Sequence, residues 1–73
     1  MAITNEAQEV VWNLLRYGGG VDIHGITSTL KRLGVAAGEQ ELYEFLLDQV
    51  AKGVVSREWR DEAEDLEYQA IAR

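Results

Sequence analysis

A chain of 73 residues without cysteine has no disulfide framework and no thiolate zinc site, so it must hold together by packing alone. At this length a single domain buries only about 60% of the surface its unfolded form exposes, which excludes a deep substrate cavity. The formal charge of −6 repels phosphate backbones at long range and draws in basic surfaces.

Composition narrows the class further. With 47% hydrophobic and 27% charged residues, one folded domain covering residues 1 to 73 is expected rather than disorder. No apolar run approaches the ~18–20 residues of a membrane span. Met1 to Glu6 lack the basic and apolar stretches of a signal peptide, so the expected location is the cytoplasm.

The first helix is marked by Ala7, Val10, Val11, Leu14 and Leu15, one stripe of a 3.6-residue period. Asn5 and Gln8 have capping-box spacing, and Glu6 suits the positive end of the helix dipole. Gly18-Gly19-Gly20 ends the helix. A phosphate loop would need a lysine and a hydroxyl at the start of the next helix, and neither follows.

Asp22 is placed to cap a second helix whose apolar face is Ile23, Ile26, Leu30 and Leu33. Gly25 weakens its first turn by ~1 kcal/mol relative to alanine, which moves the expected start toward Thr27. Gly34 closes it, and Val35 to Gly38 form a short connection. The third helix is expected from Glu39 to Lys52, with Leu42, Phe45, Leu46, Gln49 and Val50 inward and Tyr43 and Leu47 on the flank. Gly53 stops it.

The periodicity then changes from 3.6 to 2. Val54 to Trp59 has β-branched and aromatic character, while Leu66, Tyr68, Ala70 and Ala72 alternate with Glu67, Gln69, Ile71 and Arg73. Residues 60 to 65 join the two as a polar hairpin loop. The expected core is Val11, Leu15, Ile26, Leu30, Leu42, Leu46 and Val54.

Charge divides the chain in two. Through Gly38, Glu6, Glu9 and Asp22 balance Arg16, Lys31 and Arg32. From Glu39 onward, ten acids face Lys52, Arg57, Arg60 and Arg73, which accounts for the whole net charge.

The apolar spacing resembles the winged helix-turn-helix superfamily. The matching positions are Ile26, Leu30, Leu33-Gly34-Val35, Leu42, Leu46, Val50, Gly53-Val54-Val55 and the returning Tyr68-Gln69-Ala70-Ile71. The resemblance spans about residues 5 to 73 and implies a mainly α (α+β) fold of three helices with a C-terminal two-stranded hairpin, the wing. Two departures stand out. The stretch from Val35 to Leu42 is longer than the tight helix-turn-helix turn, and the chemistry is inverted. In DNA-binding members the third helix enters the major groove with basic and amide side chains, and affinity comes largely from neutralised phosphates. Here the outward residues are Glu39, Gln40, Glu41, Glu44, Asp48 and Ala51, of which only Gln40 suits base reading.

In size and acidity the chain is also similar to the small regulators that bacteriophages make to take over host RNA polymerase. That resemblance implies a location in the host cytoplasm, binding to the large polymerase subunits, shut-off of host promoters and terminator read-through.

The expected function is therefore a non-catalytic transcription regulator that binds a protein with a basic surface. Its candidate contacts are Glu41, Glu44 and Asp48 on the third helix and Asp61, Glu62, Glu64 and Asp65 on the wing. Tyr43, Leu47 and Trp59 would serve as desolvated anchors. The alternative is a sequence-specific DNA-binding repressor using Lys31, Arg32, Gln40, Arg57 and Arg60.

Catalytic, cofactor and metal roles are not expected. His24 is the only histidine, with no cysteine to activate and no second imidazole to share a metal. Asp61, Glu62, Glu64 and Asp65 lack the ligand alternation and turn glycine of a calcium loop. Trp12 borders the first helix's apolar stripe and is read as core margin.

Overall fold

The computed structural model describes residues 3–62 and 64–71. Along the chain it contains α1 (Asn5–Tyr17), β1 (Val21–Asp22), α2 (Ile23–Arg32), α3 (Glu39–Ala51), β2 (Val55–Arg60) and β3 (Asp65–Ala70). The strands form one antiparallel sheet in the order β1-β3-β2, so β3 is central. The expected two-stranded hairpin thus gains a third strand. Ala72 and Arg73, expected to continue the last strand, lie outside the described residues.

The added strand explains the glycine run. Gly19 and Gly20 adopt φ of 70° and 106°, where residues with a Cβ are strained, and a Cβ on Gly20 would also strike the Glu67 side chain. The turn therefore brings the chain against β3, where Val21 pairs with Tyr68 and Asp22 with Glu67. Two residues are too few for any periodicity to announce a strand.

Helix boundaries follow local hydrogen-bonding chemistry. At α1 the N-cap is Thr4, not Asn5. Its side chain accepts from the Ala7 amide at 3.2 Å, and the Gln8 side chain donates to the Ile3 carbonyl at 3.2 Å. At α2 the Asp22 carboxylate accepts from the Gly25 amide at 2.7 Å. That bond offsets the glycine's propensity cost, so the helix begins at Ile23 rather than near Thr27. Both α2 and α3 end in Schellman motifs. Gly34 and Val35 donate to the Lys31 and Leu30 carbonyls, and Gly53 and Val54 donate to those of Val50 and Gln49. Gly34 and Gly53 occupy the left-handed conformation this closure requires, with φ of 73° and 77°.

Ile3, Ala7, Val11, Leu15, Ile26, Leu30, Leu42, Leu46, Val55 and Tyr68 are buried together. Two expectations shift here. Leu33 is 59% exposed, because as the C-cap of α2 it has left the helix's apolar stripe. Val54 belongs to the Schellman closure and is half-buried, so Val55, one residue later, is the buried valine that opens β2. Around this core Val10, Leu14, Phe45 and Val50 are half-buried.

Leu46 lies fully buried in α3. Leu46→Ala is expected to cost ~2–5 kcal/mol through lost transfer energy and the cavity it leaves. Urea unfolding of parent and variant measures this; a midpoint unchanged within error would mean that α3 does not pack through this face.

Candidate functional site

The third helix presents two different flanks. Glu41, Glu44 and Asp48, spaced i, i+3 and i+7, form one outward stripe of α3, and Tyr43 and Leu47 form a second one nearer the core. Glu41 is half-buried, with its carboxylate folded back over Gly38, the N-cap of the helix. Glu44 is exposed and accepts from Gln40 Nε2 at 3.0 Å. Asp48 is exposed, 3.1 Å from Lys52 Nζ and 3.2 Å from Gln49 Nε2. Tyr43 borders a shallow depression with Ile23, Glu39 and Gln40, while Leu47 is half-buried.

At the wing tip Glu64 has a φ of 51° and donates its amide to the Asp61 carbonyl at 3.3 Å. This closes the turn while Asp61, Glu62 and Glu64 face solvent. Trp59 is 56% exposed, and its Nε1 donates to the Asp61 carboxylate at 2.9 Å. Asp65 is half-buried; one carboxylate oxygen accepts from the Leu66 amide, and the other lies 3.6 Å from His24 Nε2. The sequence-derived contacts therefore fall on two surfaces, the outer face of α3 and the wing tip.

The residues that would serve a DNA reader are dispersed or engaged. Arg57 and Arg60 have opposite parity on β2 and project from opposite faces of the sheet. Arg60 Nε donates to Glu67 at 3.2 Å, and a second nitrogen lies 4.0 Å from Glu58. Arg57 is the cross-strand partner of Tyr68, and its side chain lies near the Tyr68 hydroxyl. Lys31 and Arg32 occupy the last turn of α2. The other end of that helix touches the wing through His24 and Asp65, about 10 Å away by the helical rise. Gln40 spends its side-chain amide on Glu44.

Two features were not read from the sequence. Asp22, Glu67 and Glu58 are directly opposite one another across the three strands, a row of like charges on the solvent face of the sheet. Elsewhere, Trp12, Arg16, Gln49, Lys52, Val54, Ala70 and Ile71 line an open groove, where the Arg16 guanidinium lies 5.4 Å from the Trp12 ring centroid. The i, i+4 spacing of Trp12 and Arg16 was the available signal for that contact.

Among the described residues, no group of three or more His, Asp or Glu side chains is arranged to hold a metal ion. No helix among them is long and apolar enough to cross a membrane. Comparisons with protein families, with characterised proteins and with solved structures find no match to this chain.

Burial holds the Tyr68 hydroxyl above its ordinary pKa of 10.0, against the lowering effect of the nearby Arg57 side chain, and nearby Tyr43 adds to the rise. The folded chain thus keeps this proton longer than the unfolded one. Tyr68 titration leaves stability unaffected below the unfolded value and erodes it as pH rises beyond. Urea unfolding compared at about pH 9 and about pH 11 should show a smaller alkaline loss in Tyr68→Phe than in the parent. An equal loss in both would assign the alkaline sensitivity to other groups.

Proposed function

We propose that this chain is a non-catalytic transcription regulator of winged helix-turn-helix type that acts by binding protein. In this reading the outer face of α3 and the wing tip dock on a basic surface of bacterial RNA polymerase and interfere with its use of host promoters. Terminator read-through is a further effect of the same contact. The order helix, strand, helix, helix, hairpin agrees with a winged helix. The polymerase comes from the resemblance in size and acidity.

One observation carries the choice of protein over DNA. The elements a nucleic-acid reader presses against phosphates hold the acids, and of the two arginines among them Arg60 is engaged by Glu67 and Glu58, while Arg57 projects from the opposite face of the sheet. Neutralising phosphates would require breaking those contacts while ten acids stand along the same half of the chain. A basic protein surface meets no such obstacle. Glu44, Glu62 and Glu64 supply exposed charge, and Tyr43 and Trp59 supply exposed aromatic area.

Replacing Glu41, Glu44 and Asp48 together with lysine should leave the fold intact and slow association with purified polymerase core enzyme by about tenfold or more at low salt. The same exchange at Asp61, Glu62, Glu64 and Asp65 tests the wing. Surface-capture kinetics provide the measurement, with circular dichroism as the folding control. Parental association rate and affinity in a folded variant carrying both sets would end this reading. Specific duplex binding in a mobility-shift assay, falling steeply with salt, would promote the DNA-binding repressor instead.

A further inference from the structure

The open groove beside Trp12, Arg16 and Lys52 belongs to neither acidic surface, and its chemistry is the reverse of theirs. It lies where the C-terminal halves of α1 and α3 meet the base of the hairpin, with Val54 and Ile71 as its apolar wall. Trp12 is half-buried and packs against the core, whereas Ile71 is 45% exposed. None of the described residues that line the groove is acidic. In a chain of net charge −6, two cations without an acid are a local reversal of sign.

Both cations have a structural reason to stand there. Arg16 is in the last turn of α1 and Lys52 is the C-cap of α3, positions where the helix dipole favours positive charge. Their side chains nevertheless remain accessible. Arg16 pairs with no carboxylate among the described residues, and its guanidinium lies 5.4 Å from the Trp12 ring centroid. A ring takes up the face of a guanidinium and leaves the N–H donors, in the plane, to a carboxylate. Lys52 lies 3.1 Å from Asp48, an exposed i,i+4 pair of the kind that contributes little and yields to a competing anion.

We infer that this groove binds a short segment of a partner protein in which one acidic residue stands among apolar ones. The carboxylate accepts from Arg16 with Lys52 beside it, and the apolar neighbours cover Val54, Ile71 and the accessible part of Trp12. A volume of about 640 Å³ holds a few such side chains. Other occupants match only half of this chemistry. A phosphate satisfies the cations and leaves the apolar wall in water. A second copy would have to present its wing tip, where Asp61, Glu62 and Glu64 are exposed around the single ring of Trp59. Three carboxylates would then meet two cations, between chains that repel each other overall. The inference goes beyond the proposed docking of the acidic surfaces and stands without it.

The test titrates the isotope-labelled chain with a capped synthetic peptide that carries aspartate between leucines, and with a control carrying asparagine instead. Amide shifts should concentrate at Lys52, Val54 and Ile71, and the asparagine peptide should bind about tenfold more weakly. Arg16→Gln, an exposed substitution, should weaken the aspartate peptide about tenfold and leave the asparagine peptide nearly unchanged. Ile71→Ser should weaken both peptides alike, because it removes apolar wall and no charge.

Equal binding of the two peptides, or parental affinity for the aspartate peptide in Arg16→Gln, would overturn the inference. So would shifts confined to the outer face of α3 or the wing tip. Saturation by inorganic phosphate as readily as by the aspartate peptide would leave an anion site only, and concentration-dependent shifts at the same amides in the free chain would make a second copy the occupant; either result refutes the partner segment. Because the readout is peptide binding at the groove, its failure leaves the acidic-surface reading in place, and loss of that reading leaves the peptide result in place.

Discussion

The sheet is organised around Tyr68. It lies at the middle of the central strand, paired with Val21 on one side and Arg57 on the other, and is 1% exposed. A tyrosine ring brings one of the larger apolar areas available to so small a core, and its hydroxyl needs a partner when buried. Arg57 is its partner on the neighbouring strand, and the side chain lies near that hydroxyl. Core formation and hairpin register are coupled, because a slip of one residue would move the ring to the solvent face. The glycine turn and the start of α2 depend on the same position. With Val21 opposite Tyr68, Asp22 falls at the last residue of β1, where its carboxylate reaches the Gly25 amide and begins the helix.

That register has an electrostatic consequence. Placing Tyr68 inward puts Glu67 outward, between Asp22 and Glu58. Like charges directly opposite on a sheet face are unfavourable, and each finds local relief. Asp22 turns to the Gly25 amide of α2, while Glu67 and Glu58 share Arg60. Exposed ion pairs of this kind contribute little to stability, on the order of 0–1 kcal/mol. Their larger effect is on what remains at the surface. With Arg60 shared between Glu67 and Glu58, part of the hairpin's positive charge is compensated within the sheet. Its negative charge is left for an approaching molecule to meet.

The helices were legible because each carries several turns of apolar repeat and ends at a glycine with a definite conformational task. Asp22 was legible as a cap for the same reason, since the side chain and its target amide lie three residues apart. The failures are local and physical. β1 is too short to show a period and exists only because β3 is available to pair with it. Thr4 and Asn5 can both cap a helix, and which one does so depends on where Ile3 must sit in the core. The valine pair after Gly53 shifted by one because the Schellman closure uses the first member before the strand begins. At the candidate site the exposed acids of α3 and the wing could be read from spacing. The engagement of Arg60 and Gln40 could not, because it depends on cross-strand neighbours and on a choice between helix partners.

The open side of β2 and the acidic tip beside it are separate features. A strand side without a partner among the described residues invites pairing with any extended chain, including another copy of itself, and small domains have little stability with which to resist the resulting aggregates. Along β2 the charge is mixed, with Arg57 and Arg60 flanking Glu58, and it becomes wholly acidic only at Asp61, Glu62 and Glu64. As exposed groups those acids contribute little to the fold, so their main effect is on what approaches the tip: a surface of like charge is held off and one of opposite charge is drawn in.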